Sequence, residues 1–130
     1  MGSRVLIIED DRPTVRLIQT ALEAKGFSVV SARNGAEGLI AVHEERPDAV
    51  ILDINLPIMD GFQALRVLRE NEQTRSLPVI ILSERGADSD LLKGLTTGAD
   101  LYLTKPFGTQ ELVVAVARVL PRESDKRPRG

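Results

Sequence analysis

"VILDINLPIMDG", residues 50–61, opens as a buried strand and then ends on a carboxylate. Val50, Ile51 and Leu52 are apolar at successive rather than alternate positions. That is the pattern of a strand covered by helices on both faces, as in a parallel sheet. Asp53 stands where the apolar run stops, with Asn55, Pro57 and Asp60-Gly61 close behind. An ionised group at the mouth of an apolar core is unfavourable unless something compensates it. Alone, Asp53 reads as a turn residue before a Pro-containing loop. The rest of the chain decides between that reading and a chemical one.

Other short apolar runs flank this one: Val5–Ile8, Ser28–Ala32, Val79–Leu82 and Leu101–Leu103. Between them lie segments of helical period. Pro13 suits a first turn, Val15, Ile18, Ala21 and Leu22 share a face, and Gly26 stops the run. Asn34 is placed to cap a second helix carrying Ala36, Leu39, Ile40 and His43, ended by Pro47. Asp60-Gly61 supplies the turn and cap of a third, striped by Phe62, Leu65 and Leu68. Ser89 to Leu95 suggests a short fourth, and Thr109 a cap for a fifth with Glu111 in its first turn. His43, a lone histidine on a helix, reads as a surface or rim residue. Five strands alternating with five helices predict one α/β domain over residues 4–120 with right-handed crossovers. Residues 121–130 are Pro-rich, charged and without large apolar groups, and read as a flexible tail or the start of a linker.

In an open parallel sheet the binding crevice lies at the carboxyl ends of the strands. Glu9-Asp10-Asp11 ends the first run, Asp53 the third and Ser83 the fourth, and Thr104-Lys105-Pro106-Phe107 follows the fifth. If the first, third and fourth strands are neighbours, carboxylates converge on one cleft with a lysine and a hydroxyl beside them. Clustered carboxylates need protons or a cation. Oxygen donors without cysteine or a convergent histidine favour a hard divalent ion, Mg²⁺ with Mn²⁺ as the alternative. Lys105 and Ser83 could then meet a phosphoryl group, with Asp53 as nucleophile. The acidic trio also suits the start of a helix, where negative charge is favoured.

These features in this order resemble a response regulator receiver domain of two-component signalling. The resemblance rests on Glu9-Asp10, "LDINLPIMDG" around Asp53, Ser83 ending an apolar strand, "TGAD" at 97–100 and "YLTKPF" at 102–107. It implies a doubly wound, flavodoxin-like sheet of order 2-1-3-4-5 with helices on both faces. It implies phosphorylation of Asp53 by a sensor histidine kinase or a histidine phosphotransfer protein. Mg²⁺ would be held by Asp10, Asp53 and the backbone carbonyl of Asn55, with Glu9 acting close by through a metal-bound water. Asp11 is the less favoured ligand of the trio. Ser83 and Lys105 would contact the phosphoryl group, Ser83 and Tyr102 would switch together, and Lys105-Pro106 would be a cis peptide. Tyr102 also has the ordinary reading of a half-buried aromatic. The expected function is a phosphorylation-dependent switch rather than an enzyme acting on an external substrate. It would signal through the surface of the fourth helix, fifth strand and fifth helix to an output domain or a homodimer.

Composition is consistent with this. The 130 residues carry a formal charge of −2 from 17 basic and 19 acidic side chains, which does not favour direct nucleic-acid binding. There is no cysteine, so disulfides and thiolate metal sites are excluded. No apolar run approaches the about 20 residues that span a bilayer, and Met1-Gly2-Ser3 is too short for a signal peptide, so a cytoplasmic domain is expected. Two rivals share parts of the pattern. A phosphohydrolase with an aspartyl nucleophile generally needs a second acid two residues on, where this chain has Asn55. A flavodoxin-like cofactor binder is disfavoured by the acidic strand ends and by only three Phe, one Tyr and no Trp.

The chain departs from the family's pattern in two places. Glu84 and Arg85 follow Ser83 where Ala or Gly is usual at the first position, which predicts an altered phosphoryl lifetime and donor range. The fifth helix, "TQELVVAVARVL", is apolar nearly all round, and Leu101 and Ala115 replace the Asp and Arg typical of receivers that dimerise through charged pairs.

Overall fold

Five parallel strands pair in the order β2-β1-β3-β4-β5: β1 (Arg4–Ile8), β2 (Ser28–Ala32), β3 (Ala49–Asp53), β4 (Val79–Glu84) and β5 (Leu101–Lys105). The computed structural model describes residues 2–84 and 98–120. The helix expected over 89–95 and the tail at 121–130 lie outside the described residues. Helices α1 (Arg12–Glu23), α2 (Gly35–Glu45), α3 (Gly61–Glu70) and α4 (Thr109–Val119) complete the described fold, α4 being the fifth of the helices expected.

The continuous apolar runs have a direct explanation. Successive strand residues point to opposite faces, and both faces here are covered. Leu6, Ile8, Val50, Leu52, Val79 and Ile81 pack with Val42 of α2 and Phe62, Leu65 and Leu68 of α3. Val5, Ile7, Ile51, Ile80 and Leu82 pack with Ile18 and Leu22 of α1 and Leu112, Ala115 and Val116 of α4. Val5 to Ile8 and Ala49 to Leu52 have no solvent exposure.

Helix boundaries follow local chemistry. Asp11 caps α1 by accepting from Thr14 N at 3.1 Å, and Asn34 caps α2 by accepting from Glu37 N at 2.9 Å. Asp60 and Gln63 form a reciprocal capping box at the start of α3, with bonds of 2.9 and 3.0 Å. The expected cap of the last helix is corrected by one residue: Gly108 precedes the helix and Thr109 is its first member. Along α2, His43 is exposed, as a surface or rim residue should be, and Leu39 packs partly against the core; Ile40 is exposed, and the buried positions are Gly35, Gly38 and Val42. The reason is proximity: a Cβ on Gly38 would lie 2.3 Å from the Ile8 side chain, so only hydrogen lets α2 approach β1.

The amino-terminal ends of β4 and β5 are pinned by Arg69. Its guanidinium donates to the carbonyls of Gly98 (2.8 Å) and Leu77 (2.8 Å) and to the Asp100 carboxylate (3.0 Å), which also accepts from Val79 N at 2.8 Å. At the opposite, carboxyl end, Gly61 lies against the strand that carries Asp53. A Cβ there would sit 2.6 Å from both the Asp53 carbonyl oxygen and Ile54 Cα. Gly61→Ala is expected to lower stability by about 1–3 kcal/mol, as overpacking against backbone does. Urea unfolding checks this, and an unchanged midpoint would mean that α3 slides away from β3 at little cost.

Candidate functional site

Strand register brings the predicted residues together. Ile8 pairs with Leu52, so Glu9 emerges beside Asp53. Asp53 pairs with Leu82, one residue before Ser83, while Ser83 and Glu84 pair with Thr104 and Lys105. The carboxyl ends of β1, β3, β4 and β5 therefore share one edge of the sheet, and their first polar residues meet there.

Lys105 is the hinge of the arrangement. Its Nζ lies 3.0 Å from Glu9 Oε1 and 3.3 Å from Asp53 Oδ2. Asp53 Oδ1 accepts from the backbone N–H of Asn55 at 2.9 Å, so both carboxylate oxygens are held. Asp53 is 3% exposed and Glu9 1%, whereas Asp10 is exposed at the cleft's mouth. One carboxylate oxygen from each of Glu9, Asp10 and Asp53 lies within 4.8 Å of the others. Asp11 points elsewhere: it caps α1, and its hydrogen bonds from Thr14 hold its carboxyl below the usual range. Lys105-Pro106 is a cis peptide.

The electrostatics of the cluster are unbalanced. Burial pushes Glu9 from 4.5 up to about 7, and a hydrogen bond shared with Asp53 pushes the same way against the pull of Lys105. Burial pulls Lys105 down, but its contacts with Glu9 and Asp53 outweigh this and hold it above the ordinary lysine value. Among the described residues one ammonium stands beside three carboxylates and contacts two of them, Glu9 and Asp53, and the buried Glu9 tends to keep a proton. A donor set of this kind, oxygen throughout and short of positive charge, fits a hard divalent cation.

Ser83 is 1% exposed; its hydroxyl accepts from Tyr102 Oη–H at 2.6 Å and donates to the Glu84 carbonyl at 3.1 Å. The direct Tyr102–Ser83 bond was not visible in the spacing, because it depends on the β4–β5 register. The Glu9–Lys105 pair was likewise hidden, its partners lying far apart along the chain. Strand alternation turns Glu84 to the face opposite Ser83 and into solvent; Arg85 lies outside the described residues. Along β5 and α4 runs a groove of about 320 Å³ whose lining includes Leu101, Tyr102, Val114, Ala115 and Arg118.

The fold and this cluster define a class: a doubly wound α/β module with an acidic group and a lysine gathered at its strand ends. The chain belongs to the response regulator receiver domain family, whose model matches residues 5–117. It is 42% identical over 119 residues to the transcriptional regulatory protein PrrA of Mycobacterium tuberculosis, covering 92% of this chain and 50% of that protein. Similarity to the phosphate regulon transcriptional regulatory protein PhoB of Escherichia coli is 38% over 124 residues, covering 95% and 54%. The crystal structure of the receiver domain of a signal transduction histidine kinase from Syntrophus aciditrophicus superposes with a TM-score of 0.85 at 33% identity, covering 92% and 90%. The chain spans about half the length of the curated relatives it matches. Receivers are signalling modules, and among the described residues no helix is long and apolar enough to cross a membrane.

The Glu9 proton gives a testable pH dependence. With a folded value of about 7 against 4.5 unfolded, the folded state holds a proton that the unfolded chain releases first. Its stabilisation is complete below the unfolded value and is lost as pH rises through about 7. In chelator, stability should fall by about 1–3 kcal/mol between about pH 5 and about pH 8, and Glu9→Gln should flatten that part of the curve. Thermal unfolding across pH checks it; parallel curves for the two proteins would show Glu9 ionised throughout.

Proposed function

We propose that residues 4–120 form a phosphoacceptor switch in which Asp53 takes a phosphoryl group from a histidine of a sensor kinase or phosphotransfer protein. The observation that carries this reading is the grouping of the Asp53 carboxylate with Glu9, Asp10 and the Lys105 ammonium at one sheet edge. A carboxylate held by Asn55 N–H on one oxygen and Lys105 on the other has little rotational freedom left to lose on reacting. In the transfer, a carboxylate oxygen forms a bond to phosphorus as the P–N bond to the donor imidazole breaks. The electron pair returns to the imidazole nitrogen.

Asp10, Asp53 and the Asn55 carbonyl would hold Mg²⁺, with Mn²⁺ as a substitute and Glu9 assisting through a bound water. The ion, when bound, supplies positive charge to the phosphoryl oxygens. Lys105 adds a second positive charge, and its reach to Asp53 suits it to follow the phosphoryl group. The buried, low-polarity surroundings strengthen both effects.

Signalling would begin with Ser83. Its hydroxyl now accepts from Tyr102 and donates to the Glu84 carbonyl. A new anionic acceptor beside Asp53 would draw the Ser83 proton away from that carbonyl and release Tyr102 to another rotamer. The output would pass through the surface of β5, α4 and the preceding crossover segment to a further domain or a second copy. Leu101 and Ala115 in the groove argue against a dimer built on charged pairs there. Glu84, solvent-facing, would act on small anionic donors by charge rather than by blocking the cleft. The net charge of −2 does not favour nucleic-acid contact by the receiver itself, and a cytoplasmic setting matches the expected kinase partner.

Treatment with phosphoramidate and Mg²⁺ should add one phosphoryl group to the wild type, read as intact mass, and none to Asp53→Asn. A chelator should slow labelling by about 100-fold, the scale on which charge stabilisation acts in such transfers. Labelling of the Asp53→Asn variant, or of neither protein by phosphoramidate and by kinase donors alike, would overturn the assignment.

A further inference from the structure

Helix α2 gives no side chain to the acidic cluster, yet its first residue, Gly35, meets the loop that follows Asp53. A Cβ on Gly35 would lie 2.7 Å from the Met59 carbonyl oxygen, 3.0 Å from Met59 Cγ and 3.1 Å from Met59 Cβ. Glycine is a poorer helix former than alanine, so its use here costs helix stability. The close approach of Met59 accounts for it. Because the nearest atom belongs to the backbone, no change of rotamer could clear a side chain at this position.

Met59 closes a constrained segment. Its N–H donates to the Pro57 carbonyl at 2.7 Å, and Ile58 between them has φ +69°, in the left-handed region. A β-branched residue suits that backbone poorly and is stiff at χ1, so the turn keeps its shape only while its surroundings impose it. Two helix starts do so. Gly35 receives Met59 on one side, and Met59 packs against the core. On the other, Gly61 N donates to the Ile54 carbonyl at 3.1 Å. Ile54 and Leu56 are buried, and the exposed Asn55 is held between them.

We propose that Gly35 is a positioning residue for the cation: by admitting Met59 it fixes the loop of Asn55 and so sets the affinity for Mg²⁺. This rests on the phosphoacceptor reading, in which the Asn55 carbonyl is a ligand. Of the groups that would hold the ion, that carbonyl alone is a backbone atom. Asp10 and Asp53 can adjust their χ angles toward an ion, but a carbonyl goes where its backbone goes. Mg²⁺ demands near-ideal octahedral geometry, and metal constellations work within about 0.5 Å of it. Packing must therefore place the loop. Helix α2 is seated on β1 through Gly38 and Val42, whereas the loop is exposed at Pro57 and Ile58. A side chain at Gly35 thus displaces the loop rather than the helix, and the stiff turn at Ile58 passes the displacement on toward Asn55. The carboxylates remain, so binding weakens without being abolished.

The test is a Mg²⁺ titration of the full chain, read both as the rate of phosphoramidate labelling and as the rise in unfolding temperature. In Gly35→Ala, half-maximal labelling should need about tenfold more Mg²⁺, while the rate at saturating Mg²⁺ stays within about threefold of wild type. The rise in unfolding temperature should move along the Mg²⁺ axis by the same factor. Adding Ile58→Gly, which lets the turn absorb the displacement, should recover most of the wild-type Mg²⁺ dependence. Met59→Ala removes the contact from the other side without crowding, so it should raise the Mg²⁺ requirement too, and it decides the matter if Gly35→Ala does not fold. An unchanged Mg²⁺ requirement in both variants would overturn the inference, whatever their stability in chelator, and leave Gly35 a packing residue alone. So would a loss confined to the rate at saturating Mg²⁺. A wild type whose labelling and stability are both indifferent to Mg²⁺ would instead remove the cation from the phosphoacceptor reading itself.

Discussion

Lys105 between Glu9 and Asp53 is the contact on which the rest of the site depends. Three of the four strands concerned arrive at this edge after runs of fully buried apolar residues, so their ends offer little water to solvate charge. Two carboxylates buried to 1% and 3% exposure would repel each other strongly there without a cation. The ammonium removes part of that repulsion, but burial above all, with the neighbouring Asp53 adding to it, still raises the affinity of Glu9 for a proton. Among the described residues the cluster is therefore short of positive charge. Such a deficit costs stability in the absence of a cation, and it would be the source of the affinity for one that the proposed function requires.

The same shortage explains why the site suits a switch. Asp53 is held by a backbone N–H and by Lys105, yet neither contact is covalent and Lys105 has a flexible stem. Placing a phosphoryl group on Asp53 would change the charge that Lys105 faces without requiring the sheet to move. The neighbouring Ser83 hydroxyl, accepting from Tyr102 while donating to a carbonyl, has a second use open to it as a donor to a new oxyanion. A conformational change needs only this difference in partner preference between the two states. The rigid sheet would make the difference visible at the edge strand β5, where Tyr102 sits, rather than dissipate it through the core.

Much of this was legible in the chain, for identifiable reasons. The parallel sheet was visible because doubly covered strands are apolar at every position, as in Val5–Ile8 and Ala49–Leu52. Site residues were visible because each is the polar residue that ends such a run or follows closely after it. The caps by Asn34 and Asp60 were visible because capping is local chemistry. What escaped was set by distance. The close approach of α2 to β1 escaped because Gly38 contributes by lacking a side chain, and a periodicity count sees only the side chains that are present. The Tyr102–Ser83 and Lys105–Glu9 bonds needed strand register. The positive φ at Ile58 left no trace, since glycine or asparagine is the signal for that backbone and isoleucine conceals it.

The two ends of the sheet are built on opposite principles, and the contrast bears on how a signal crosses it. At the amino-terminal end, Arg69 joins α3 to the starts of β4 and β5 through carbonyls and a carboxylate that have one well-satisfied arrangement. Burial lowers its affinity for the proton while Asp100 raises it, and the guanidinium's planar fork matches several acceptors at once. At the carboxyl-terminal end, among the described residues, the carboxylates of Glu9, Asp10 and Asp53 outnumber the Lys105 ammonium, and more than one pairing is open to it. A change made at Asp53 would thus be opposed where Arg69 fixes the strands and accommodated where Ser83, Tyr102 and Lys105 meet. Under the proposed function, rigid placement at one end would turn a small exchange of partners at the other into a defined movement of the β5 edge.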